Sequence, residues 1–150
     1  MHTHCNTTYD VSQKPWGLQR PILRNDPLHV DEIEVVPGGY CSVHRHLKKV
    51  NLFHVLEGRL TVLCFNDMQA VVATYAMRAG DHCVIPAGVW HQFWSRSGCV
   101  AQEVYYGTEE QLLVVHGDID RNSEFAVGGV APLLAGVPSM RGIYLAEAGS

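Results

Sequence analysis

Histidine is over-supplied in this sequence, with 9 copies in 150 residues. Imidazole is the commonest metal ligand and the side chain that changes charge near neutral pH. The useful question is which of the histidines the chain can bring together. His44 and His46 flank Arg45. On a β-strand, side chains alternate with a period of two, so both imidazoles face one way and Arg45 the other. Chance alone gives roughly half such a pair in a chain with this many histidines. A second pair, His2 and His4, lies at the extreme N-terminus and is expected to do no chemistry. What raises His44 and His46 above chance is the order of residues around them. Gly38, five residues, His44-x-His46, four residues, Asn51, six residues and Gly58 are followed by Gly80, five residues, Pro86-x-Gly88, two residues, His91, three residues and Ser95.

The elements that must position these residues read as short strands. The apolar and β-branched runs are 31–36, 40–46, 50–56, 60–65, 70–77, 82–85, 90–95, 99–106 and 112–115, with turn residues such as Pro37-Gly38-Gly39, Glu57-Gly58, Asn66-Asp67 and Ala79-Gly80-Asp81 between them. That spacing predicts an all-β sandwich or barrel. No segment before residue 108 carries a helical period. Residues 1–30 hold Lys14-Pro15-Trp16-Gly17, Arg20-Pro21 and Asp26-Pro27, and are expected to form an irregular N-terminal arm. Residues 31–116 are expected to form the barrel. The Gly-, Ala- and Pro-rich residues 117–150 are expected to be a C-terminal extension, a loop or short helical tail, in one domain overall.

Composition limits the function classes. The chain is 47% apolar and 17% charged, which fits a folded domain and excludes a disordered or fibrous chain. A net charge of -4 gives no reason to expect nucleic acid or an anionic membrane as partner. No run of apolar residues is long enough to span a bilayer, and the first thirty residues hold none of signal-peptide length. The 5 cysteines form no Cys-x-x-Cys pair, so reduced, buried thiols and a cytoplasmic location are expected. Parity sorts the remaining candidates. Phe93 and Ser95 share the face of His91, and Phe53 that of Asn51, which makes all three pocket-lining candidates. His54, Trp90 and Trp94 belong to opposite faces.

The two ordered motifs resemble those of the cupin superfamily, G-x5-H-x-H-x3–4-E-x6-G and G-x5-P-x-G-x2-H-x3-N. Asn51 stands where that family usually has Glu, and Ser95 where it often has Asn. The resemblance implies a jelly-roll barrel, a double-stranded β-helix, with His44, His46 and His91 pointing into its mouth. Three neutral imidazoles form one face of a divalent-metal shell with open positions, suited to Zn, Ni, Fe or Mn. Asn51 is then a neutral oxygen ligand in place of a carboxylate.

A narrower resemblance is to type II mannose-6-phosphate isomerase-like cupins. Lys14-Pro15-Trp16-Gly17 is similar to their R-P-W-G segment, Glu103-Val104-Tyr105-Tyr106-Gly107 to E-V-x-x-G, and Asp118-Ile119-Asp120-Arg121 to D-I-V-R. It implies a carbohydrate ligand and an aldose–ketose isomerase, with Glu103 as base or extra ligand and Arg121 as a clamp on phosphate or sugar oxygen. Lys48 and Lys49 are expected in the hairpin at the barrel mouth. A non-catalytic small-molecule-binding cupin and a three-His non-heme iron dioxygenase are the alternatives. An open sheet edge, the Pro-rich arm and the apolar tail residues Val130, Leu133, Leu134 and Val137 suggest a homodimer.

Overall fold

The computed structural model describes residues 10–25, 27–107, 119–121 and 142–143. Every regular element among them is a strand: β1 (Ser12–Lys14), β2 (Gly17–Asn25), β3 (Leu28–Val35), β4 (Gly39–Tyr40), β5 (His44–Arg45), β6 (Lys49–Phe65), β7 (Val71–Arg78), β8 (His82–Ile85), β9 (Trp90–Trp94), β10 (Cys99–Gly107), β11 (Asp120–Arg121) and β12 (Gly142–Ile143). Neighbouring strands are antiparallel, and the main path runs β1-β2-β3-β10-β6-β9-β4-β12. The sheet curls on itself as a jelly-roll half-barrel.

The runs expected at 50–56 and 60–65 are one strand, β6. Its first part pairs with β10 and β8, and its second part with β7 and β9. Gly58 makes this possible. It sits at φ +75°, and a Cβ there would overlap the Gly98 carbonyl oxygen. Only glycine combines that dihedral with that approach, so what reads as a closing turn is a bend that carries one strand between the two halves of the barrel.

The segment expected as an irregular arm contains two strands. β2 pairs with β3 from Gly17 opposite Val35 to Asn25 opposite Leu28. Pro21 does not end it, because a register shift between Pro21 and Leu23 absorbs the missing donor as a bulge. Conversely, the run expected at 40–46 is broken into β4 and β5. The 112–115 run and nearly all of the C-terminal extension lie outside the described residues.

The main core is formed by Trp16, Ile33, Val35, Phe53, Val55, Leu60, Val62, Ile85, Phe93 and Ala101 with their neighbours. Burying them removes water from apolar surface, the main force holding the two halves together. A smaller cluster of Tyr40, Val43, Leu63, Phe65 and Trp90 packs on the other face of the β6–β9 half. Strand β3 alternates half-buried and buried along its length, with Asp31, at 0% exposure, on the buried face beside Ile33 and Val35. A carboxylate in a core position needs a partner, and Asp31 has the Arg24 guanidinium at 2.6 Å and the Gln19 amide as donor. No helix among the described residues is long and apolar enough to cross a membrane.

Candidate metal centre

His44 on β5 and His91 on β9 are directly opposite each other across an antiparallel pair. His46 follows β5 by one residue. The ring centroids are 4.4 Å apart for His44 and His91, 5.1 Å for His44 and His46, and 5.5 Å for His46 and His91. All three side chains are buried, and one nitrogen from each lies within 4.8 Å of the others, close enough to hold a metal ion. Arg45 points the other way, as strand parity requires, stacked over the Trp90 ring at 4.4 Å.

Two of the imidazoles are oriented by backbone carbonyls. Nδ1 of His44 is 2.8 Å from the Ser42 oxygen, and Nδ1 of His91 is 3.0 Å from the Val89 oxygen. A carbonyl only accepts, so both Nδ1 atoms carry the proton and both Nε2 atoms present a lone pair. Burial lowers the His91 pKa to about 4, only partly offset by the Val89 hydrogen bond, and so keeps the ring neutral at physiological pH. Phe53 stands against His91 from the core, ring centroids 6.2 Å apart, with Phe93 6.0 Å from Phe53.

Asn51 stands at the fourth position. Its Nδ2 is 3.4 Å from His91 Nε2 and 3.1 Å from Glu103 Oε1. Its Oδ1 is buried with no hydrogen-bond partner among the described residues. The three buried imidazoles could hold a divalent cation, while the amide atom that Asn51 turns toward His91 is Nδ2 and not the oxygen.

Glu103 on β10 points inward, as the register requires: it is opposite Phe53 on β6 and opposite Asp31 on β3. Burial raises its pKa, hydrogen bonds from Tyr105 and Asn51 work against that rise, Asp31 reinforces it and Lys49 opposes it. Tyr105, opposite Asn51, has its own pKa raised well above the usual value, first by burial and then by Glu103. Lys49, expected with Lys48 in the hairpin at the barrel mouth, opens β6 and is buried with its ammonium 4.6 Å from the Tyr105 ring centre. Lys48 is exposed.

A cavity of about 90 Å³ opens beside these groups, lined by Lys14, Trp16, Gln19, Ser42, His44, Phe93, Glu103 and Tyr105 among others. Of the pocket candidates, Phe93 lines it. Phe53 lies deeper, at 0% exposure, against Phe93 and His91. Ser95 is turned away, because its hydroxyl donates to the Arg59 carbonyl at 2.6 Å. The backbone of Arg121, in β11, is opposite His44. His54 bonds Gln102 on the outer face. His29, which has no supporting partner in the sequence, is buried with its Nδ1 3.0 Å from Arg24.

Asp31, Gln19, Lys49 and Tyr105 are the site residues that motif spacing missed. Parity was the available signal for two of them: Tyr105 shares the face of Glu103, and Asp31 occupies a core position of an alternating strand.

Known proteins give a consistent picture of the fold. The Cupin domain family model matches residues 31–105. KdgF from Halomonas sp. superposes with a TM-score of 0.58 at 14% identity, over 70% of this chain and 94% of that one. An RmlC-like cupin from Shewanella frigidimarina gives 0.57 at 18% identity, over 69% and 88%. A mutant of the Bacillus subtilis oxalate decarboxylase OxdC gives 0.64 at 14%, over 84% of this chain but only 34% of that larger one. At such identities the likeness speaks for fold alone. Comparison with curated proteins gives no match.

Proposed function

The chain belongs to the cupin domain family, and on that footing we propose that it is a divalent-metal cupin that binds and isomerises a small polyhydroxylated carbonyl compound, a sugar or sugar phosphate. The observation that carries this reading is a buried carboxylate, Glu103, joined through Asn51 to three buried imidazoles at the edge of a polar cavity. His44, His46 and His91 would hold the ion, with Asn51 Oδ1 as a further donor. An ion held by these residues would supply Lewis-acid polarisation of a carbonyl oxygen.

Aldose–ketose interconversion moves a proton between neighbouring carbons, which needs a base whose pKa is brought toward neutrality. Burial does that for Glu103. The Tyr105 hydroxyl, hydrogen-bonded to Glu103, holds the carboxylate in place. Lys49 balances its charge across the Tyr105 ring. Gln19, Ser42 and Lys14 on the cavity wall offer polar groups to hydroxyls. Arg121 is assigned the anionic end of the ligand on its register position beside His44. The cavity of about 90 Å³ is well below the roughly 300–1,000 Å³ that encloses drug-sized ligands, so it suits the carbonyl end of an open-chain sugar, with the remainder outside.

The test is proton exchange at C2 of mannose 6-phosphate and fructose 6-phosphate in deuterated water, with metal-loaded protein. Incorporation of deuterium that Glu103→Gln removes supports the reading. No exchange with any aldose or ketose sinks it.

One observation favours a second reading, a non-catalytic binding cupin: the Asn51 amide occupies both His91 and Glu103, the base itself. Saturable sugar binding without exchange is the outcome that reading requires. The proposal also includes a cytoplasmic homodimer. Cys64, Cys83 and Cys99 are free and buried, as a reducing compartment favours. β7 pairs with β6 alone among the described strands and exposes Val72 and Tyr75, an edge suited to a second copy. Light scattering on a sizing column tests the mass.

A further inference from the structure

A second, larger hollow lies on the other face of the barrel wall. Its volume is about 430 Å³, and Arg59, Arg78, Arg96, Trp94, Thr61 and Asp81 are among the residues lining it. Strand alternation separates it from the metal centre: His91 and Phe93 face inward on β9, so Trp94 faces outward, and exposed Arg96 lies just beyond the strand. On β6, Leu60 and Val62 are in the core, so Arg59 and Thr61 face outward. Thr61 is opposite Trp94, and Arg59 is directly opposite Arg78.

Like charges directly opposite on neighbouring strands destabilise a sheet. Among the described residues no ion pair offsets them. Arg59, Arg78 and Arg96 are all exposed, and none forms an ion pair among the described residues. Asp81, the acid at the groove, has a carboxylate oxygen bound to the Arg78 backbone N–H at 3.0 Å, which ties it to its turn. Trp94 is half-buried, and its indole N–H has no hydrogen-bond partner among the described residues. Three arginines thus line one hollow of a chain whose net charge is -4, together with Trp94, whose buried indole N–H lacks a partner among the described residues, and that hollow is nearly five times the volume of the metal-side cavity.

We propose that this groove is a binding site for the phosphate group of a small phosphorylated metabolite, clamped between Arg59, Arg78 and Arg96. Guanidinium presents a planar fork of donors matched to phosphate oxygens, and a bound dianion turns the repulsion between Arg59 and Arg78 into a shared attraction. The volume exceeds what a bare ion needs, so the site takes an ester whose organic part lies along the Trp94 wall. The site is independent of the metal centre.

The test follows the Trp94 indole N–H resonance, assigned with Trp94→Phe, during titration with inorganic phosphate, glucose 6-phosphate and glucose at constant ionic strength. Both phosphate compounds should shift it saturably, the ester at lower concentration, and glucose should not. Arg78→Gln and Arg96→Gln, both exposed and tolerable to the fold, should each weaken binding about tenfold or more, while His91→Ala leaves it unchanged. Absence of a saturable shift, an equal shift by glucose, or wild-type affinity in both arginine variants would overturn the assignment.

Discussion

Asn51 donates its side-chain amide to Glu103 Oε1 across 3.1 Å, so the position that lacks the family's usual carboxylate is hydrogen-bonded to a carboxylate on the adjacent strand. The carboxyl group beside the imidazoles thus stands on β10 and not on β6, and burial raises its pKa. Replacing Asn51 by Asp places a second carboxylate against Glu103 and beside the imidazoles. Affinity for divalent ions, which follows the charge count of the ligands, should rise by about tenfold. The metal-free variant should melt lower than wild type because two buried carboxylates then repel. Competition against a fluorescent chelator reads the first effect and thermal unfolding in chelator reads the second.

Glu103, the base of the proposed reaction, carries a stability cost from its burial. Its folded-state pKa is raised, so its contribution to stability is fully present below the usual carboxylate range and is lost as the pH climbs through the raised value. Glu103→Gln should therefore melt higher than wild type at pH 7, with the advantage vanishing near pH 4. If the proposed isomerisation holds, the same variant should lose about a hundredfold or more of that rate with metal content equal to wild type. Parallel melting curves at the two pH values, together with metal content, check this.

His91 carries the opposite sign. Its folded pKa is lowered to about 4 from 6.5, so stability is complete above about pH 6.5 and falls as the pH drops toward 4, when the unfolded chain takes up a proton that the folded chain refuses. In metal-free protein the loss amounts to about 3 kcal/mol across that window. Denaturant titrations at pH 7, 5.5 and 4.5 should show the decline, and His91→Asn should flatten it.

Gly58→Ala probes the bend in β6. The dihedral of +75° and the clash with the Gly98 carbonyl oxygen act together, and the variant should lose about 2–3 kcal/mol or more. Unfolding by urea measures it. A loss below half a kilocalorie would mean that β6 passes between the barrel halves without needing glycine.

The sequence made the metal residues legible because strand parity and the Gly and Pro positions fix where His44, His46 and His91 stand, and both are local properties. Glu103 was legible only through the resemblance of Glu103-Val104-Tyr105-Tyr106-Gly107 to E-V-x-x-G, and it is the register with β3 and β6 that turns it inward. What escaped was set by partners distant in the chain. β2 looked irregular because Pro21 breaks a local pattern, but the bulge opposite β3 accommodates it. Lys49 read as a hairpin residue at the barrel mouth, whereas it opens β6 and the Tyr105 ring, from another strand, shelters it. Ser95 had the right parity for the pocket, but the Arg59 carbonyl claims its hydroxyl. The outer-face arginines carry no motif at all. Only the register that sets Arg59 opposite Arg78 reveals them.

The central claim is that the three imidazoles hold a divalent ion, and elemental analysis of freshly purified protein tests it most directly. Wild type should carry about one divalent transition metal per chain. His91→Ala, and His44→Ala as a second variant, should carry almost none while keeping the far-ultraviolet spectrum of a folded β protein. Equal metal in wild type and both variants, or none in wild type after purification and reconstitution with zinc, nickel, iron and manganese, would contradict the account.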